Sequence, residues 1–263
     1  MKILFVGDIF GRGGRRILSE LFGAIIEKES VDFSIVNIEN LAGGRGFTEN
    51  LVGKLFNYGI DVMTSGNHAW DNQDGIMLLD KNPKVIRPLN YPPGNPGSGS
   101  VIAITKKGVE VAVLNVQGRV FMPGIDCPFR AAEAEVKRLS ERTKIIIIDI
   151  HAEATSEKEA LGFYFDGRVS AVIGTHTHVQ TADERILPKG TAYITDAGMT
   201  GPRDSVIGMK HSEVLHRFIY QTPARFEPSE DDLWLNAVIV EVDESTGHAS
   251  AIKRICANSK ERI

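Results

Sequence analysis

The apolar run VSAVI at 169–173 leads into GTHTHVQ at 174–180, which sets His176 and His178 two residues apart. In an extended segment residues i and i+2 point the same way. Strand geometry carried through residue 178 therefore aims both rings at one object. The same event recurs along the chain. KILFVG ends at Asp8, FSIVNI at Glu39 and Asn40, DVMTSG at Asn67 and His68, and KIIIIDI at His151. Five apolar runs thus finish on a side chain able to bind metal or move a proton, and four of the seven histidines fall at these points.

Together these are two carboxylates, two carboxamides and four imidazoles, with no thiolate. Oxygen and nitrogen donors of this kind suit manganese, iron or zinc, whereas calcium and magnesium do not call for so many imidazoles. The set is too large for one tetrahedral zinc ion and about right for two ions. Two divalent ions about 3.5–4 Å apart, bridged by one carboxylate, are the usual device for hydrolysing phosphate esters. Such a centre is locally positive and draws in a phosphate. A water acidified by both ions is the expected nucleophile, and a histidine titrating near neutrality can protonate the leaving oxygen.

Something must bring residues so far apart in sequence together, and the elements between them suggest what. KILFVG precedes GRRILSELFGAIIEKES, whose apolar residues Ile17, Leu18, Leu21, Phe22, Ile25 and Ile26 have helical spacing. FSIVNI and the loop NLAGGRGF follow, then a helix capped by Thr48 and ending at Gly59. DVMTSG reads as a strand and DNQDGIMLLDKN as a helix. Strands alternating with helices imply parallel pairing in an α/β fold, and in such sheets ligands bind at the carboxyl ends of the strands. After the loop NYPPGNPGSGS at 90–100, a hairpin turns at Lys107-Gly108. A helix (FRAAEAEVKRLSER), a strand (KIIIIDI), a helix (SEKEALGFYF) and a strand (RVSAVIG) come next. The last third favours strands: DERIL, TAYIT, LWLNAVIVEV and HASAIKRI. With no repeat or linker, 1–263 reads as a single domain: a mixed sheet, or two packed sheets flanked by helices. His211 and His216 on a helix, and His248 beside a turn, read as structural or exposed.

Composition narrows the classes. At 42% hydrophobic and 24% charged the chain is an ordinary globular protein. A net charge of −4 and the absence of a basic stripe argue against an extended nucleic-acid footprint. No stretch approaches the roughly 20 apolar residues of a membrane helix. Two cysteines, Cys127 and Cys256, are too few for a disulfide framework. A cytoplasmic location without membrane association is expected, and a homo-oligomer is left open.

The ordered motifs Asp8, Glu39, GNH at 66–68, His151 and GTHTH at 174–178 resemble those of the calcineurin-like metallophosphoesterases. Three features depart from that pattern: Phe10 stands where a ligand histidine is usual, Glu39 replaces an aspartate, and Thr175 separates Gly174 from His176. With GDIFGRGGR and NIENLAGGRGFT, they resemble the YmdB type within that superfamily. The resemblance implies a four-layer αββα sandwich of two mixed sheets flanked by helices. It implies one ion on Asp8, Glu39, Asn40 and His178, with the Asn40 side-chain oxygen making up for Phe10. The other ion falls to Glu39, Asn67, His151 and His176, and His68 is the general acid.

The implied activity is a metal-dependent phosphodiesterase acting on small cyclic nucleotides, 2′,3′-cyclic ones above all. A phosphomonoesterase or phosphoprotein phosphatase is the rival from the same chemistry. A regulatory protein whose metals hold a signalling surface is the rival from another class. Arg12 in GRGGRR and Arg45 in AGGRG are candidate phosphate contacts on glycine-rich segments. Phe47, Trp70 and Phe121 are read as core aromatics.

Overall fold

The computed structural model describes residues 1–260. Its first sheet has seven strands. β1 (Lys2–Val6) leads almost at once into the short β2 (Asp8–Ile9). Helix α1 (Gly11–Glu29) then returns the chain to β3 (Phe33–Asn37), which pairs parallel with β1. After α2 (Glu49–Asn57), β4 (Val62–Thr64) joins β3 in parallel, and a 3₁₀ turn at Asn67–Trp70 precedes α3 (Gln73–Lys81).

The second sheet has six strands. The hairpin β5 (Ser100–Ile104) and β6 (Glu110–Gln117) is followed by α4 (Pro128–Ser140), β7 (Ile146–His151), α5 (Thr155–Tyr164) and β8 (Ala171–Thr175). The run β6–β7–β8 is parallel. β9 (Arg185–Ile186) and β10 (Ala192–Ile194) complete it, with β10 parallel to β8. The chain then crosses back to the first sheet with β11 (Met199–Pro202), α6 (His211–Tyr220), β12 (Leu233–Val242) and β13 (Ala249–Asn258). β12 runs antiparallel to β1, β11 and β13, so both sheets are mixed.

Strict alternation builds the layers. Ile3, Phe5, Phe33, Ile35 and Val62 face Val111, Val113, Ile147, Ala171 and Ile173 in the core between the sheets. The intervening residues Leu4, Val6 and Val36 face outward, under Ile17, Leu18, Leu21 and Phe22 of α1 and Val52 and Leu55 of α2. On the far side Leu114, Ile146, Ile148 and Ile150 lie under Ala132, Val136 and Leu139 of α4 and Leu161 of α5. Strands buried on both faces need nearly continuous apolar runs. That is why the polar residues at their ends stand out, and why the order of layers is α, β, β, α.

Several local expectations change. α1 begins at Gly11, so the glycine-rich GRGGRR forms the first turns of a helix. A Cβ on Gly14 would lie 2.2 Å from Thr200 O, so the glycine admits close packing against β11. Thr48 stands at the cap position of α2, but its side chain makes no capping hydrogen bond. Phe47 is buried and Trp70 is partly buried against Tyr91, whereas Phe121 is 89% exposed and lies outside the core. β11, with its glycine and proline, is a strand that propensity does not announce. α6 leaves Leu215, Phe218, Ile219 and Tyr220 exposed. Among the described residues no helix is long and apolar enough to cross a membrane.

Candidate metal centre

Sheets packed face to face lie about 10 Å apart, so side chains at the carboxyl ends of strands from both can meet. Asp8 opens β2, and Glu39 and Asn40 follow β3. Asn67 and His68 follow β4, His151 ends β7, and His176 and His178 follow β8. Donor atoms of Glu39, His151 and His176 lie within 4.8 Å of one another, as do those of Asp8, Glu39 and His178. Glu39 is common to both groups. Asn67 joins the first, with Oδ1 3.1 Å from His151 Nε2, and Asn40 joins the second, with Nδ2 3.1 Å from His178 Nε2. All seven expected ligands therefore sit around one centre, with Asp8, Glu39, Asn40 and His151 buried.

The donors fit cations better than they fit one another. His151 Nε2 is 3.0 Å from Glu39 Oε2, 3.0 Å from His176 Nδ1 and 3.1 Å from Asn67 Oδ1. One proton cannot satisfy so many lone pairs. Asp8 Oδ1 is buried with no hydrogen-bond partner, while Oδ2 accepts from the His176 backbone N–H at 3.1 Å. The centre is also kept narrow. A Cβ on Gly66 would lie 2.2 Å from Glu39 Oε2 and 2.3 Å from His151 Nε2, so only glycine permits the approach. Asn40 aims Nδ2, not the expected oxygen, at Glu39 Oε1 and His178 Nε2. Turning the amide over exchanges the two atoms and presents Oδ1 at the same place.

Electrostatics follow from burial and from these contacts. Burial pushes the Glu39 carboxyl up, but the charge and hydrogen bond of His151, with His68 and His176 beyond, bring it down to about 2. At Asp8, burial and the negative neighbours Glu39 and Asp196 outweigh His151, so its pKa stands well above the usual range. Burial would lower His151, yet Glu39 holds its proton up to about 9. Burial and the charge of His151 push His176 down to about 3, and burial likewise lowers His178. The lowered pKa values of His176 and His178 favour the neutral ring that a cation needs, and binding at His151 would release its proton.

A supporting layer orients each ring. His151 Nδ1–H donates to Thr175 Oγ1 at 2.8 Å, and that hydroxyl donates to Asp149 Oδ1 at 2.7 Å. The extra residue between Gly174 and His176 therefore fixes the tautomer of His151, leaving Nε2 toward the centre. His176 Nε2 meets Glu153 Oε2 at 3.1 Å, and His178 Nδ1–H donates to Ile207 O at 3.1 Å. Phe10 lies edge-on to His178, its centroid 5.8 Å away, so it buttresses a ligand in place of being one. Replacing Thr175 with Val is expected to weaken Mn²⁺ affinity about ten- to a hundredfold. Calorimetric titration checks this, and unchanged affinity would reduce Thr175 to a purely structural role.

The two histidines of GTHTH reach the centre by a route other than strand alternation. β8 ends at Thr175, and His176 and His178 take left-handed backbone conformations, with φ of 94° and 67°. Such conformations are costly for non-glycine residues and persist only where their surroundings enforce them. Here Asp196 Oδ2 accepts from the Thr177 N–H at 3.0 Å and from its hydroxyl at 2.6 Å. The fully buried Lys158 of α5 pairs with the same oxygen at 2.9 Å.

His68 stands beside the donors. Its backbone N–H points at Glu39 Oε2 at 3.3 Å, and its Nδ1 lies 2.9 Å from Asp71 Oδ2. That contact leaves Nε2 as the atom able to move a proton. Arg45 approaches the same Asp71, at 4.0 Å, with its side chain 70% exposed. Arg12 is 79% exposed and faces Glu230 at 4.0 Å. Asp71, Asp149, Thr175, Asp196 and Lys158 lie outside the expected set of site residues. Only Asp149 carries a signal in the sequence, an acid inside an apolar run two residues before His151.

A four-layer αββα fold with acids, amides and imidazoles gathered at its strand ends defines a metallophosphoesterase. Residues 4–255 match the model of the YmdB-like protein family, and the chain belongs to that family. It is 47% identical over 258 residues to a Bacillus subtilis (strain 168) protein named 2′,3′-cyclic-nucleotide 2′-phosphodiesterase, an alignment covering 98% of this chain and 97% of that one. A solved structure of a hypothetical protein from Thermus thermophilus superposes with a TM-score of 0.90 at 39% identity, over 98% of this chain and 99% of the other. A phosphatase from Mycoplasma pneumoniae superposes with a TM-score of 0.92 at 34% identity, over 98% and 93%.

Proposed function

We propose that the chain is a metal-dependent phosphodiesterase that opens the cyclic phosphate of 2′,3′-cyclic nucleotides. The observation that carries this reading is the meeting of two donor groups on the single carboxylate of Glu39. Asp8, Glu39, Asn40 and His178 would hold one divalent ion, and Glu39, Asn67, His151 and His176 the other, with manganese, iron or zinc suited to these donors. When bound, such a pair supplies an acidified water and positive charge for the phosphate oxygens. His68, fixed through Nδ1 by Asp71, donates the proton from Nε2 to the departing ribose oxygen. Asp149 and Thr175 hold the ring of His151, and Asp196 holds the backbone that presents His176 and His178. Arg45, beside Asp71, would meet a phosphate oxygen near His68. The outward pairing of Arg12 with Glu230 favours no such role. The same reading makes the chain one catalytic domain at work in the cytoplasm.

A substrate panel tests it. With Mn²⁺ supplied, 2′,3′-cyclic AMP and bis-p-nitrophenyl phosphate should turn over faster than p-nitrophenyl phosphate, with about two ions per chain by elemental analysis. Faster turnover of the monoester would instead favour a phosphatase.

A further inference from the structure

A cleft of about 350 Å³ opens beside His178, between β11, the segment after it, and the paired strands β12 and β13. Its lining includes Met199, Arg203, Ile207, Trp234 and Arg254. His178 belongs to both places: Nε2 lies among the metal-site donors, while Nδ1 is tied to the carbonyl of Ile207 in the cleft wall. A phosphate held at the donors therefore has this cleft as a neighbour.

The charged groups in the cleft differ in their commitments. Arg254 is paired with Glu184 at 2.8 Å. Arg203, among the described residues, is in no ion pair; its guanidinium lies over the Trp234 ring, 4.4 Å from the centroid. A planar cation held over an indole can serve as a platform for another flat π system, because arginine planes and aromatic rings both stack on nucleobases. Met199 and Ile207 add apolar surface suited to a base or a ribose. Trp234 and Asn236 of the lining each also hold a buried polar atom, Nε1 and Oδ1, without a hydrogen-bond partner.

We propose that this cleft seats the nucleobase of the substrate, with Arg203 on Trp234 as its stacking platform. The inference rests on the cyclic-nucleotide reading above and names the part of the substrate recognised away from the phosphate. Stacking of this kind tolerates every base, so adenine, guanine, cytosine and uracil cyclic nucleotides should all be accepted.

The test compares Arg203→Ala and Arg203→Lys with the wild type on two substrates in Mn²⁺. One is 2′,3′-cyclic AMP; the other is methyl ribofuranoside 2,3-cyclic phosphate, which keeps the ring diester and lacks the base. Arg203→Ala should lose about ten- to a hundredfold in kcat/KM on the nucleotide, mostly through KM, and little on the base-free diester. Arg203→Lys, which keeps the charge without the plane, should resemble Arg203→Ala. Equal losses on both substrates, no loss on either, or full rescue by lysine would each overturn the proposal. Direct titration with adenosine separates this inference from the activity it rests on. Binding to the wild type that weakens in Arg203→Ala supports the base seat even if neither diester is cleaved, and adenosine binding untouched by the substitution removes it even if both are.

Discussion

Replacing Glu39 with Gln is expected to lower kcat/KM for 2′,3′-cyclic AMP by about a thousandfold or more, with loss of at least one metal ion. The two donor groups have Glu39 in common and no other member, so this change weakens both. It removes one of the two carboxylates that offset the cations, and it sets an amide N–H among atoms that must offer lone pairs. Metal ions supply several kcal/mol of transition-state stabilisation in such reactions, and each 1.36 kcal/mol is tenfold in rate. The fold should survive, because Glu39 follows β3 and none of the three apolar cores includes it. Elemental analysis, thermal melting and steady-state kinetics together check the outcome. A folded Glu39→Gln protein with a full metal complement and normal turnover would remove the bimetallic reading. A cellular effect that persisted in an inactive Glu39→Gln protein would place the biological role in a binding surface.

Much of this centre is legible in the sequence because its strands are buried on both faces. Largely apolar runs at β1, β3 and β7 make the Asp8, Glu39 and His151 at their ends conspicuous. Parallel pairing then says that these ends converge. The supporting residues are harder to read, for physical reasons specific to each. Lys158 lies in SEKEALGF, which resembles a solvated helix face, and becomes intelligible only beside Asp196, 38 residues away in sequence. Thr175 resembles a spacer until His151 is placed across the sheet from it. The two-residue spacing of His176 and His178 suggests a shared strand face, yet left-handed backbone brings both rings to the centre. The glycines of GRGGRR suggest a loop, although tight packing of α1 on β11 is what requires Gly14. Spacing along one element is local information, whereas buried pairs and close approaches are set by tertiary partners.

Replacing His68 with Ala is expected to reduce kcat on 2′,3′-cyclic AMP by roughly 10²–10⁴-fold while the metal content stays unchanged. The side chain is not a member of either donor group, and the contact with Glu39 comes from the backbone N–H, which alanine keeps. Asp71 loses its imidazole partner but is 34% exposed, with Arg45 nearby, so its charge remains solvated. A general acid matters in proportion to how poorly the departing group carries negative charge. The loss should therefore be far smaller on bis-p-nitrophenyl phosphate, whose p-nitrophenolate leaves without a proton, than on the cyclic nucleotide, whose ribose alkoxide needs one. Comparing the two substrates isolates proton donation from any general disturbance of the site. Equal losses on both would assign His68 to binding the phosphate, and a drop in bound metal would make it a ligand.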